Sequence, residues 1–244
     1  MCKKRFFLLS LLVCLCFVLH GCSGTKDKLV VATHAEFPPY EYKDGNEFKG
    51  IDIEIAKLIS EKMDKELEVL DIEFASIIPA IVNGKADIAL AGLTVTPDRK
   101  ENVAFSDTYL RATQSVLVKQ DSDIKNINNM KDKKIGVQTG NTADIYCTND
   151  FGEKKINRFS KHIDAVEALK NKKIDAIVLD NEPAKVFDKE NDEVVMLDDV
   201  YCEEEYAIAV NKDNKDLLEQ INNILSEIKS SGQLDEIMKK YIKW

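Results

Sequence analysis

The chain has 244 residues, 44% of them hydrophobic, and a formal net charge of −9 at pH 7. This length allows one large domain or two domains of about 100 residues each. The negative charge argues against a nucleic-acid partner, because such partners select basic surfaces. The six cysteines show no spacing typical of a metal site, so neither a metal nor a cofactor is expected.

Residues 1–21 are predicted to be a signal peptide. Basic residues at positions 3–5 precede an apolar run over residues 6–19, which is the usual order in such peptides. The run is shorter than the roughly 20 residues that a membrane-spanning helix needs. Cleavage and export are therefore expected.

The segment Leu19-His20-Gly21-Cys22 resembles the bacterial lipobox, in which the cysteine becomes the lipidated first residue of the mature protein. The resemblance implies acyl chains, such as palmitate, on Cys22 and a lipidated tether over residues 22–28. Several acyl chains on one residue are enough for lasting membrane attachment. Plain secretion and an uncleaved anchor remain open, because His20 departs from the small residue usual at its position.

Cys147 and Cys202 are the two cysteines left in the mature chain. In an oxidising compartment they could pair as a disulfide. The alternative is two small buried thiols, and the sequence separation does not decide between them.

Strands and helices alternate at the start of the mature chain. Residues 29–33, 67–72 and 88–91 read as strands, and apolar positions between them fall on helical faces, with Ser76 as a cap for the second helix. The order β-α-β-α-β predicts a parallel sheet covered by helices.

The segment that follows the third strand, residues 91–99, places an arginine at the start of a helix. Thr96 is a candidate N-cap, and Pro97 suits the first helical position, which needs no N–H. Free backbone N–H groups, the positive end of the helix dipole and the Arg99 guanidinium would then favour a carboxylate ligand. The alternative for this segment alone is an ordinary capped helix with a surface arginine.

The same alternation restarts after residue 134 and ends in a buried strand at residues 176–179, followed by Asp180. Two α/β lobes are therefore predicted. Extended segments at 113–118 and 205–210 would each cross between the lobes, as a two-strand hinge. The first lobe would comprise residues 29–112 and 206–244, and the second, with the hinge segments, residues 113–205.

Several segments, in chain order, resemble the polar amino-acid-binding proteins of ABC importers, which are family 3 extracellular solute-binding proteins. These segments are 30–33, 37–42, 50–52, 77–80, 91–99, 105–107, 136–140 and 175–180. The resemblance implies an α/β, two-lobed periplasmic-binding-protein-like fold (type II), each lobe a mostly parallel sheet with helices. It also implies a monomeric, non-enzymatic receptor that is held at the outer face of a bacterial cell membrane and delivers one free L-amino acid to a permease.

The resemblance assigns roles at both ends of the amino acid. Arg99 would bind the α-carboxylate with the backbone N–H groups of Thr94 and Thr142. Asp180 would bind the α-ammonium with the Gly92 carbonyl and the Thr94 hydroxyl. A zwitterion that leaves water needs such pairing, because an unpaired buried ion costs several kcal/mol.

Phe37 and Phe74 would enclose the ligand side chain, with core packing as their alternative role. Further residues are placed in the pocket by the resemblance: His34, Glu36, Gln138 and Leu179 at its distal part, and Thr139. Glu36 could pair with a cationic side chain, which favours a polar or basic ligand such as arginine or lysine, while cystine and glutamine remain open. A solvated loop histidine is the alternative for His34.

Three other features are expected to have no role in binding. Asp52 would complement the dipole of its helix, residues 203–205 would be a solvated flank of the hinge, and His162 has no partner set. Two other functions stay open because a fold does not fix function. They are a dehydratase-type enzyme, with Glu36 or His34 as acid or base, and a ligand-sensing module that acts with a separate signalling partner.

Overall fold

The computed structural model describes residues 27–242. The predicted signal peptide, Cys22 and most of the predicted tether lie outside this range. Among residues 27–242, none of the helices combines the length and the apolar character that crossing a membrane requires.

The first sheet has five strands in the order β5-β1-β6-β14-β7. Strand β1 runs parallel to β5 and β6, and β14 joins β6 and β7 in antiparallel fashion. The strands are β1 Lys28–Thr33, β5 Glu66–Asp71, β6 Ile88–Ala89, β7 Val103–Phe105 and β14 Ala209–Asn211. A separate meander, which the sequence did not predict, comprises β2 Glu36–Phe37, β3 Glu41–Asp44 and β4 Glu47–Lys49.

Helices cover both faces of the first sheet. One apolar cluster joins β1 to three helices, α1 Ile51–Lys62, α7 Lys215–Ser230 and α8 Gln233–Tyr241. Another cluster joins the sheet to α2 Ile77–Val82, which follows a 3-10 turn at Phe74–Ser76. The short helix α3, Pro97–Lys100, precedes β7. The two C-terminal helices thus pack on the first sheet, although they follow the second sheet in the chain.

The second sheet has the order β10-β9-β11-β8-β12, and β13 pairs with part of β8. Strands β10, β9 and β11 are parallel, and β8 is antiparallel to its neighbours. The strands are β8 Leu110–Lys119, β9 Ile135–Gln138, β10 Ile156–Phe159, β11 Ala176–Asp180, β12 Val194–Met196 and β13 Cys202–Tyr206. Its helices are α4 Thr142–Phe151, α5 His162–Lys170 and α6 Asn181–Glu190, with 3-10 turns at Ile127–Met130 and Glu153–Lys155.

Strands β8 and β13 lie side by side where the chain passes between the two sheets. Their register pairs Leu110 with Tyr206 and Gln114 with Cys202. The segment predicted to be extended over 205–210 is divided between β13 and β14, and an isolated bridge joins Tyr206 to Thr94 of the first sheet's loops. The second connection between the sheets, which contains Tyr206, therefore lies directly against residues 91–99, the segment predicted to bind a carboxylate.

The two remaining cysteines are not bonded to each other. Cys147 lies on α4 within the core of the second lobe and is fully buried. Burial raises the pKa of both thiols to about 12, which makes them poor nucleophiles at neutral pH. Of the two alternatives, the structure agrees with separate thiols.

Candidate functional site

A narrow cavity lies between the lobes, at the carboxyl ends of the parallel strands, with about 310 Å³ of space not filled by atoms when the solvent at its mouth is included. Ligands of open α/β sheets bind at such strand ends. Both lobes contribute to the wall: His34, Phe37, Glu41, Phe74, Ala91, Gly92, Thr94 and Arg99 from one, Gln138, Asn141, Thr142 and Asp180 from the other.

Arg99 projects into this cavity from α3. The Thr96 hydroxyl accepts a hydrogen bond from the Arg99 backbone N–H at 3.2 Å, which confirms Thr96 as the N-cap. The guanidinium is buried and donates to the carbonyl of Thr94 at 2.8 Å and to that of Gly140, in the other lobe, at 3.2 Å. Burial lowers the pKa of Arg99, and the nearby carboxylate of Glu204 opposes this shift. The surface-arginine alternative is therefore wrong.

Asp180, at the end of β11, faces the same cavity from the second lobe and is only 6% exposed. Its carboxylate accepts a hydrogen bond from the Tyr206 hydroxyl, which comes from the hinge strand β13. Burial, and next the negative charge of Glu204, raise the pKa of Asp180 to about 7. A cationic group brought beside this carboxylate would stabilise its ionised form.

Gly92 is held by Asp52 of α1. The Gly92 N–H and the Tyr109 hydroxyl both donate to Asp52 Oδ2, each at 2.8 Å. Gly92 has φ 52°, and a Cβ there would meet the Phe37 ring at 3.0 Å, so glycine is required. Burial raises the pKa of Asp52 to about 7. The prediction that Asp52 serves only the helix dipole is thus incomplete, because its carboxylate also fixes the Gly92 loop.

The N-terminus of α4 forms part of the second lobe's wall. Asn141 is the N-cap, and its side chain accepts from the Asp144 N–H at 2.9 Å. Thr142 is the first helical residue, where backbone N–H groups lack helical acceptors. The family resemblance named Thr139 and Thr142 for the pocket but not Asn141, which itself lines the cavity.

Aromatic rings lie on two sides of the cavity. The Phe74 ring has the Arg99 guanidinium 5.5 Å from its centroid. The Phe37 ring stacks on His162 of the second lobe, with centroids 5.4 Å apart. His162 is 2% exposed, and burial lowers its pKa to about 3. Neither ring nitrogen has a hydrogen-bond partner among residues 27–242, as expected for a histidine without a partner set, and the neutral ring contributes to the contact between lobes by stacking on Phe37.

The cavity wall also contains two buried polar atoms without partners, one on His34 and one on Glu41. His34 Nδ1 lies 3.0 Å from the Ile72 carbonyl oxygen. A carbonyl can only accept, so this contact assigns the proton to Nδ1 and a lone pair to Nε2. Within residues 27–242, neither His34 Nε2 nor Glu41 Oε2 has a hydrogen-bond partner. The solvated-loop alternative for His34, which is 5% exposed, is wrong.

Glu41 was not predicted as a site residue. It lies on β3, is 1% exposed, and its pKa is raised well above the usual range by burial, then by Asp52 and Asp180. The signal available in the sequence was its position directly after Phe37-Pro38-Pro39-Tyr40, in a segment already assigned to the pocket. A buried carboxylate without an internal cation is costly, which marks it as a functional candidate.

Some predicted site residues lie elsewhere. Glu36 is not part of the cavity wall, and its carboxylate pairs with Lys161 of the second lobe near the surface. The exposed Thr139 donates to the Phe159 carbonyl at 3.2 Å, and Leu179 belongs to the apolar core of the second lobe. Gln138 does line the cavity, where its amide donates to the Ser160 carbonyl at 3.1 Å.

The expectation of a solvated hinge flank at residues 203–205 is wrong for the middle residue. Glu204 is 5% exposed, and its Oε2 accepts from the Thr94 hydroxyl at 3.1 Å and from the Gln114 amide at 2.8 Å. Glu203 and Glu205 are exposed. Successive side chains of a strand point to opposite faces, so one of three consecutive glutamates in β13 lies inside.

Comparison with known proteins agrees with this architecture. The family model described as "Bacterial extracellular solute-binding proteins, family 3" matches residues 29–243, and the chain belongs to this family. The chain is 33% identical to the arginine-binding extracellular protein ArtP of Bacillus subtilis over 251 residues, which cover 98% of each chain. Other curated relatives are named as histidine- and glutamine-binding proteins.

Solved structures also resemble this fold closely. An ancestral arginine-binding protein bound to arginine has a TM-score of 0.84 and 38% identity, over 90% of this chain and all (100%) of that one. The ancestral amino-acid-binding protein AncCDT-1, described as a precursor of cyclohexadienyl dehydratase, has a TM-score of 0.82 and 33% identity, over 88% and 96% of the two chains.

Proposed function

We propose that this protein is the substrate-binding component of an amino-acid ABC importer and closes around one free L-amino acid. The observation that carries the proposal is the pair Arg99 and Asp180, buried on the same cavity but contributed by different lobes. A ligand held by both would contact the closed form more extensively than the open form. Such differential contact is what shifts an opening equilibrium toward closure.

The geometry supports recognition of both ends of a zwitterion. Arg99, with the backbone N–H groups of Thr94 and Thr142, would bind the carboxylate. Asp180, with the Gly92 carbonyl and the Thr94 hydroxyl, would bind the ammonium. Each end would then receive a charge partner and hydrogen bonds, as a buried ion requires.

The unpaired atoms of Glu41 and His34 in the cavity wall favour a cationic ligand side chain. Glu41 Oε2 and His34 Nε2 are both acceptors, and both are buried without a partner within the described range. A guanidinium or an ammonium supplies several donors and a compensating charge, while Phe37 and Phe74 would contact its aliphatic stem. We therefore propose a basic amino acid, arginine before lysine, and the relatives named as arginine-binding proteins support this order.

In the cell, the protein would act at the outer face of the bacterial membrane. Lipid on Cys22, palmitate among its chains, would hold it there after removal of the signal peptide, and residues 22–28 would form the tether. The partner would be a membrane permease that receives the ligand from this receptor. The receptor would be a monomer. Its first lobe would comprise residues 29–112 and 206–244, and its second lobe residues 113–205. This part of the proposal rests on the sequence motifs and on the family.

The dehydratase-type enzyme remains a second candidate because of the similarity to AncCDT-1. Glu41, a buried carboxyl group whose pKa is raised by burial, is the residue that such chemistry could use as an acid. Incubation of the protein with prephenate or arogenate separates the two functions: turnover supports the enzyme, and unchanged compound supports the receptor.

A screen of the purified chain against the free L-amino acids tests the main proposal. A ligand that binds only the folded state raises the melting temperature with its concentration. We expect the largest shift with arginine, a smaller one with lysine, and matching heats in calorimetry. A screen in which none of the amino acids stabilises the protein would overturn the proposal, whereas a preference for a neutral amino acid would overturn only the ligand class.

A further inference from the structure

Glu204 is a buried carboxylate for which the ligand contacts proposed above provide no role. It lies on hinge strand β13 and is 5% exposed. Its Oε2 accepts hydrogen bonds from Thr94 and Gln114, and its Oε1 has no hydrogen-bond partner within the described range. The Tyr146 hydroxyl also lies beside this carboxylate. Burying a carboxylate without a direct counter-ion costs several kcal/mol, so a residue that served only to pair the hinge strands would not need this charge.

The first donor to Glu204 is the Thr94 hydroxyl, at 3.1 Å. A hydroxyl has a single proton, so once that proton is donated to Glu204, Thr94 Oγ1 presents only lone pairs to other groups. Thr94 lines the cavity. An ammonium group, which has only donors, therefore finds Thr94 Oγ1 available as an acceptor because Glu204 takes the hydroxyl proton.

The second donor is the Gln114 amide nitrogen, at 2.8 Å. Gln114 lies opposite Asp180 in the β8–β11 register, and its side chain lowers the pKa of Asp180, against the larger upward effect of burial. Glu204 fixes which end of the Gln114 amide faces Asp180.

We propose that Glu204, on hinge strand β13, is a positioning residue for the ammonium side of the pocket. By accepting hydrogen bonds it orients the Thr94 hydroxyl and the Gln114 amide. Thr94 and Asp180 then present only hydrogen-bond acceptors to the ligand. The proposal rests on amino-acid binding as the function. Through Glu204, strand β13, which lies in the connection between the lobes, would contribute to the selection of ligands that carry an α-ammonium. Glu204 touches the ligand in no step of this account.

The test compares two ligands that differ only in the α-ammonium, L-arginine and 5-guanidinopentanoate. We expect Glu204→Gln to lower the preference for arginine over the analogue about tenfold, since hydrogen bonds that depend on a charged group are weakened. The ratio of the two affinities removes any effect through Arg99, which Glu204 also faces, because both ligands have the carboxylate. Glu203→Gln, an exposed neighbour on the same strand, is the matched control and should leave the ratio unchanged.

An unchanged ratio in a Glu204→Gln variant that melts normally without ligand would overturn the proposal. If that variant does not fold, Glu204→Asp keeps the charge but shortens its reach, and it should lower the same ratio. A double-mutant cycle with Thr94→Val adds a second readout, because Glu204→Gln should cost less once the hydroxyl is absent. If the wild-type protein binds arginine and only the ratio fails to move, the role of Glu204 is wrong; if the wild type binds no amino acid, the proposed function fails first.

Discussion

The polar groups of the cavity wall fall into two sets, and we call Arg99 with Asp180 its fixed end and His34 with Glu41 its variable end. At the end that contains Arg99 and Asp180, each charged group already has partners in the protein: the guanidinium has the Thr94 and Gly140 carbonyls, and the carboxylate has the Tyr206 hydroxyl. At the other end, His34 Nε2 and Glu41 Oε2 are buried without partners among residues 27–242. The first end is preorganised by backbone and hinge, and the second depends on what a ligand brings.

On the proposed function, this difference separates the ligand groups that all amino acids share from the side chains that distinguish them. Every amino acid has a carboxylate and an ammonium, so the groups that bind them can be fixed in advance, and fixed groups lose little entropy on binding. Side chains differ, and a wall of unpaired acceptors penalises any ligand that does not supply donors. Variants at the two ends should therefore fail in different ways.

The largest effect is expected from Arg99→Ala. Removal of a buried charge partner costs about 2 to 5 kcal/mol, or tens- to thousands-fold in affinity, and the loss should be the same for every amino acid that binds. Isothermal calorimetry with arginine, lysine and a neutral amino acid measures it. Lys100→Ala, the exposed neighbour on the same helix, is the control, and a loss confined to one ligand would contradict a shared carboxylate site.

The sequence predicted the fixed end much better than the variable one. Thr96, Pro97 and Arg99 belong to one helix start, whose capping rules are local, so their arrangement follows from a few consecutive residues. Glu41 lies on a three-strand meander of very short strands, and its burial depends on packing of that meander against a segment outside it, α1. Local pattern does not reveal such burial. For Glu204, strand alternation was available as a signal, but three glutamates in a row suggested solvent.

The second effect concerns ligand class. Glu41→Gln keeps the size of the side chain but removes the charge, so it should weaken arginine and lysine about ten- to a hundredfold, as expected for a charge-assisted hydrogen bond, and leave neutral amino acids nearly unchanged. Competition binding with the three ligand types measures this difference. An equal loss for neutral ligands would show that Glu41 supports the fold of the pocket rather than its selectivity.

The third effect is the pH dependence of binding. The pKa of Asp180 is raised to about 7 and that of Glu41 is also raised, chiefly by burial, so the empty site takes up protons as the pH falls. A cationic ligand favours the ionised carboxylates and must displace these protons. Affinity should therefore decrease as the pH is lowered through about 7, by up to about tenfold per pH unit for each proton released. Calorimetry in buffers of different ionisation enthalpy measures the number of protons released on binding. An affinity independent of pH would contradict the assignment of Asp180 and Glu41 as groups that lose protons when the ligand binds.

The smallest effect is expected at the rim, where Glu36 pairs with Lys161 across the two lobes. The sequence suggested that Glu36 selects cationic ligands, whereas the structure places its carboxylate outside the cavity wall, half-exposed and already paired. Exposed ion pairs contribute little, so Glu36→Gln should change the affinity for arginine by about threefold or less, and Lys161→Met should do the same. If Glu36→Gln lowers the affinity for arginine as much as Glu41→Gln does, then ligand selectivity is determined at the rim of the cavity and not by Glu41.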